Sequence, residues 1–110
     1  MARIGIIQSL RATHGSNRHE HTFKIEFVFE GQIKNGFVEG IDFHTIKPII
    51  EGVLSPLIDT YLPESLGVER ASVENLAIYL FKKLAMKNLY AIQIWEEVDR
   101  YAIVFADDFR

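Results

Sequence analysis

The sequence predicts an α+β domain in which a four-stranded antiparallel sheet carries two helices on one face. Two observations lead there. The segments run strand, strand, helix, helix, strand, strand, and consecutive strands joined by short turns pair antiparallel. The two middle segments each show an apolar stripe at helical spacing, which must be buried against a second layer. At 110 residues the chain is sized for one domain, residues 1–110.

Each element has its own warrant. Residues 3–14 read as a strand because Ile4, Ile6, Leu10 and Ala12 share one parity, interrupted by Gln8. Residues 21–30 alternate most clearly, with Phe23, Ile25, Phe27 and Phe29 on one face. Glu30-Gly31 and Asn35-Gly36 mark turns or a bulge. Asp42 is placed as an N-cap, and Ile46, Ile49, Ile50, Val53, Leu54 and Leu57 recur at helical spacing behind it. Pro48 is expected early in that helix, where a missing N–H is tolerated. Pro63 and the Gly67 region form a connection. Ser72 is the second N-cap, with Glu74 in the first turn and Val73, Leu76, Ala77, Leu80, Phe81 and Leu84 as the buried stripe. Residues 89–97 and 100–105 form a second hairpin turning at Val98-Asp99, in which Tyr90, Ile92, Ile94 and Glu96 share a face.

Composition excludes several functions. A net charge of −3 and a pI near 5.8 lack the basic signature of nucleic-acid binding. With no cysteine there is no disulfide, thiolate metal site or cysteine nucleophile. No apolar run approaches the roughly 20 residues that span a bilayer, and Ile4 to Ile7 is too short for a signal-peptide core. A soluble, cytoplasmic protein without membrane partners is expected. Hydrophobic residues make up 48% of the chain. That is rich for a small monomer and points to apolar surface shared between subunits.

Three of the four histidines, His14, His19 and His21, fall within eight residues. Three imidazoles leave a zinc ion one open position for water or substrate. If the first two strands pair, strand parity turns all three towards one sheet face at one end. Spacing leaves two readings open, a metal tripod or a polar hairpin loop. Glu96 ends an apolar face, either exposed at a strand end or accepting hydrogen bonds from a ligand.

Several motifs together resemble the 6-pyruvoyl-tetrahydropterin synthase and 6-carboxy-tetrahydropterin synthase family. Ala12-Thr13-His14 is similar to its first zinc-ligand motif, and His19-Glu20-His21-Thr22-Phe23 to its His-Gly-His-Asn-Tyr. Gly36-Phe37-Val38 through Asp42-Phe43 and Ile46-Lys47 resembles Gly-Met-Val-x-Asp-Phe-x-x-Leu-Lys, with about two extra residues. Ala71-Ser72-Val73-Glu74-Asn75-Leu76-Ala77 resembles Pro-Thr-x-Glu-Asn-Leu-Ala, and Trp95-Glu96 resembles the start of Trp-Glu-Thr. The resemblance implies the tunnelling fold, in which sheets of several subunits close a barrel, as a trimer or hexamer with active sites between subunits. It implies Zn2+ on His14, His19 and His21, a pterin ring gripped by Glu96, and Ser72 in the pterin-contacting segment. The implied activity is a carbon–oxygen lyase acting on 7,8-dihydroneopterin triphosphate or a related pterin. Arg11, Arg18, Lys24 and Lys47 are available to its phosphates.

The acid–base groups depart from the family pattern. The loop Gly15-Ser16-Asn17-Arg18 lacks the family's catalytic cysteine and also the glutamate of some relatives. Asp59 fits the family's Asp-His pair, but Thr60 replaces the histidine and cannot exchange a proton near neutral pH as imidazole does. Glu20 stands where the family has glycine, as a substitute base, a partner to a ligand, or a solvent-facing residue by its parity. His44 is a further substitute for the lost histidine, or an exposed first-turn residue. Asp59 and Glu20 are therefore the candidate catalytic groups. The alternative function is a non-catalytic oligomeric protein of the same fold that binds a pterin or purine-like ligand.

Overall fold

The computed structural model describes residues 1–108. Strands β1 (Ala2–His14) and β2 (His19–Gly31) form a long hairpin. A small hairpin of β3 (Ile33–Lys34) and β4 (Phe37–Val38) follows. Helices α1 (Phe43–Leu54), α2 (Leu62–Leu66) and α3 (Val73–Leu84) come next, then β5 (Leu89–Glu97) and β6 (Arg100–Phe105). The main sheet has the order β1-β2-β5-β6, antiparallel throughout.

The alternation of β2 decides which face is covered. Phe23, Ile25, Phe27 and Phe29 are fully buried, each contributing about 1.5–3 kcal/mol of apolar burial. Leu10 and Ala12 of β1 join them, and Ile4 and Ile6 pack at the margin. Against this face lie Ile46, Ile50 and Leu54 of α1 and Leu76, Ala77, Leu80, Phe81 and Leu84 of α3. Both expected caps form: Asp42 Oδ1 accepts from His44 N–H at 2.9 Å, and Ser72 Oγ from Asn75 N–H at 3.1 Å. Among the described residues no helix is long and apolar enough to cross a membrane.

Four expectations need correction. The connection holding Pro63 is itself a short helix, α2, closed by Gly67 at φ 69°. The apolar stripe of α1 continues to Leu57, but the regular helix stops at Leu54 and gives way to a 3-10 turn, Ser55–Leu57. Pro56 has no N–H with which to extend the ladder. Pro48 lies inside α1 rather than in its first turn, so the bond to the carbonyl four residues back is forfeited. Tyr90 does not share the face of Ile92 and Ile94. The register shifts between Val28/Phe29, whose partners are Ala91 and Leu89, so Tyr90 is the extra residue of a bulge. Leu89 enters the core instead, and the Tyr90 ring lies under the Arg3 guanidinium at 4.2 Å.

Candidate metal centre

The hairpin register brings the histidines together. His14, the last residue of β1, faces His19, the first of β2, and His21 faces Ala12. All three side chains therefore leave the helix-covered face. Their ring centroids are 4.6–4.8 Å apart. The buried Phe23 ring lies 5.2 Å from His14 and 5.7 Å from His21, an apolar floor under the group. Gly15 is required at the turn. Its φ is +83°, and a Cβ there would stand 2.8 Å from His19 Cε1.

Two of the imidazoles have a hydrogen-bond acceptor at Nδ1, and the third has a carboxylate oxygen farther off. His14 Nδ1 is 3.1 Å from the Ala71 carbonyl, His19 Nδ1 is 2.5 Å from Asn17 Oδ1, and His21 Nδ1 is 3.8 Å from Glu97 Oε1. The acceptors at His14 and His19 place the proton on Nδ1, which in the neutral ring leaves Nε2 as a lone pair, the arrangement found behind metal-ligating histidines. His14 shows the consequence. It is 8% exposed, and its Nε2 is buried without a hydrogen-bond partner. The nearest charged atom is Glu96 Oε1 at 3.5 Å, which also lies 3.8 Å from His21 Nε2. The lone pair of His14 Nε2 thus faces a carboxylate oxygen with no donor between them, a conflict that a cation relieves. One donor atom from each of His14, His19, His21 and Glu96 lies within 4.8 Å of the others. Three imidazoles and a carboxylate are the donor types zinc takes. The residues present fit such an ion.

Glu96 reaches the group by continuing the buried face of Ile92 and Ile94. Trp95 pairs with Tyr101 but Glu97 with Arg100, so Glu96 is also the extra residue of a second bulge. It lines two grooves, one of about 300 Å3 with Thr22, Lys24 and Trp95, the other of about 240 Å3 with Val73, Arg100 and Tyr101. A third cleft, about 500 Å3, opens beside His14 and is also lined by Ser16, Tyr61, Arg70 and Ser72.

The two candidate catalytic groups lie elsewhere on this chain. Glu20 is exposed and opposes Thr13, on the parity opposite the histidines. Asp59 is exposed and held bidentately by Arg11, at 2.7 and 3.0 Å. That hydrogen bond is the main reason its carboxyl titrates below the usual range. Neither belongs to the group of four donors. His44 is exposed in the first turn of α1. Ser72 Oγ caps α3 while its residue lines the His14 cleft. Among the basic groups expected for phosphates, Arg18 lies over the Tyr61 ring at 4.2 Å. Lys24 lies over Trp95 at 4.5 Å and shares a groove with Glu96.

Known proteins match both chain and fold. A profile of the family described as 6-pyruvoyl tetrahydropterin synthase matches residues 7–107. A Pyrococcus furiosus protein named dihydroneopterin monophosphate aldolase is 30% identical over 83 residues, 71% of this chain and 69% of its own. The solved structure of Caenorhabditis elegans 6-pyruvoyl tetrahydropterin synthase superposes with a TM-score of 0.84 at 20% identity, covering 96% of this chain and 95% of its own. That superposition establishes the tunnelling fold. Fold, profile and relative agree, and the chain belongs to the 6-pyruvoyl tetrahydropterin synthase family.

Proposed function

We propose that this chain is a zinc-dependent lyase that cleaves the side chain of a dihydroneopterin phosphate between C1′ and C2′. The observation that supports it most is the convergence of three imidazoles and a carboxylate, with His14 and His19 each held at Nδ1 by an acceptor. His14, His19 and His21 would hold the metal. Bound there, zinc acts as a Lewis acid that makes substrate hydroxyls more acidic. Glu96 would accept two parallel hydrogen bonds from the pterin ring's amino and N–H donors. Ser72, beside the His14 cleft, would help to seat the ring.

The choice of bond follows from what the site lacks. Family chemistry that expels triphosphate also removes protons from carbon, which calls for strong, well-placed bases. The loop Gly15–Arg18 has no cysteine, and Thr60 stands in place of histidine. Retro-aldol cleavage removes its proton from oxygen. The C2′ hydroxyl gives up its proton, C2′ becomes a carbonyl, and the C1′–C2′ pair passes into the pterin ring. C1′ is then protonated. From the monophosphate the products are 6-hydroxymethyl-7,8-dihydropterin and glycolaldehyde phosphate, and atoms balance without an oxidant. The relative named an aldolase favours the same bond. Asp59 and Glu20 face away from the histidines of their own chain, so they enter this reading as groups contributed to a neighbouring subunit's site in a trimer or hexamer.

The test is incubation of zinc-loaded protein with 7,8-dihydroneopterin monophosphate and, in parallel, the triphosphate, with products read by mass spectrometry. Release of glycolaldehyde phosphate is the expected result. Release of inorganic triphosphate instead would restore the carbon–oxygen lyase. Firm pterin binding with neither product would establish the non-catalytic binding protein, a reading favoured by the missing acid–base pair.

A further inference from the structure

Glu96 has two claims on it that it cannot meet at once. Its Oε1 stands 3.5 Å from His14 Nε2 and 3.8 Å from His21 Nε2. Donors placed tetrahedrally about 2.0–2.2 Å from a zinc ion are about 3.3–3.6 Å apart. The separations around Glu96 therefore match, or nearly match, the edges of a four-coordinate site. A carboxylate that grips a pterin edge must present both oxygens in one plane to two N–H donors. It cannot do that with Oε1 seated among the imidazoles.

We infer that Glu96 is the fourth ligand of the metal until a pterin arrives, and that seating the ring draws it away and opens the position that the substrate's side chain then takes. The inference rests on the pterin-binding role proposed above. Three features of the chain support it. Glu96 is the extra residue of a bulge, so its placement is not locked by the ladder. Its side chain is 36% exposed, against 11% for His14 and 15% for His21. It also lines grooves on two sides, with Lys24 and Trp95 in one and Arg100 and Tyr101 in the other. His14 and His21 are thus largely enclosed, while the carboxylate has somewhere to go. The consequence is specificity: a sugar phosphate or diol without a pterin ring meets a closed metal.

Cobalt(II) loaded in place of zinc tests this, because its visible bands report added ligands. Thiocyanate serves as the probe for an open position. 6-Methylpterin serves as a ring that offers no hydroxyl to the metal. In the wild type, thiocyanate is expected to leave the bands unchanged until 6-methylpterin is added. In Glu96→Gln it is expected to shift them at once, and zinc affinity should fall at least about tenfold, the lower figure for losing even an outer partner of a ligand. Glu96→Asp, which keeps the charge on a shorter stem, should fall between them. Thiocyanate entering the wild type as readily as Glu96→Gln overturns the inference. So does a wild type that stays closed with 6-methylpterin bound, binding being followed separately by pterin fluorescence. Failure of 6-methylpterin to bind at all sinks the pterin reading instead, and the thiocyanate comparison without pterin still decides whether Glu96 is a ligand.

Discussion

Two charged groups sit on opposite faces of the same hairpin end, and they are built differently. On the outer face, Arg11 and Asp59 satisfy each other at 2.7 and 3.0 Å, both exposed. On the helix-covered face, His14 and His19 are tied at Nδ1 beside His21, while His14 Nε2 is buried without a partner near Glu96 Oε1. The outer pair is complete and screened by water. The inner group leaves a buried nitrogen without a partner, and its donor atoms fit a cation. Family motifs point at both places, but only the inner one carries an unmet valence.

The largest effect should come from removing ligands. His19→Ala/His21→Ala is expected to drop zinc from about one ion per chain to none, measured by elemental analysis of purified protein. Retention of zinc in that variant would show that the metal sits elsewhere. An intermediate effect is expected of Gly15→Ala, which replaces neither a proposed ligand nor a core residue. A side chain at φ +83°, with Cβ 2.8 Å from the His19 ring, must displace that ring. The local cost is about 1–3 kcal/mol, read as weaker zinc binding in a chelator competition. Unchanged affinity would mean that His19 is free to move without losing the ion.

The smallest effect belongs to the outer pair. Asp59 titrates below its unfolded value, chiefly through the hydrogen bond from Arg11. Its contribution is therefore present above the unfolded pKa, about 3.9, and is lost as pH falls through the lower folded value. Asp59→Asn, which keeps a residue tolerant of φ 61°, should lower the melting temperature slightly near neutral pH. The difference from wild type should vanish at strongly acid pH, and zinc content should not change. A difference that grows on acidification would reverse the assignment.

Much of this contrast was legible from the chain. Parity along β2 placed His19 and His21 with Phe23, and Asp42 and Ser72 were recognisable as caps by chemistry and position. The same parity put Glu20 on the other face. What escaped was everything that depends on a register shift. A bulge adds one residue without a compositional mark, so Tyr90 was assigned to the wrong face. Glu96, expected either exposed at a strand end or accepting from a ligand, was on the right face by parity, but its place as a fourth donor beside the histidines was hidden. The partners of the Nδ1 atoms were equally hidden. The Ala71 carbonyl is 57 residues from His14 in sequence, and only the docking of α3 against the sheet brings them together. The helix α2 escaped because five residues are too few to show a period.

The edge of β1 carries a consequence for how far this sheet can be extended. Asp59 N–H donates to the Arg11 carbonyl and Thr13 N–H to the Thr60 carbonyl, so the odd residues of β1 turn their backbone groups away from β2, and residues 59–60 already occupy the last of them. Arg3, Gly5, Ile7 and Ser9 keep theirs facing outward. A strand added here has about 24 Å of template at roughly 3.4 Å per residue. It must end before Arg11, so the rim beside the histidines is bounded by this chain's own loop.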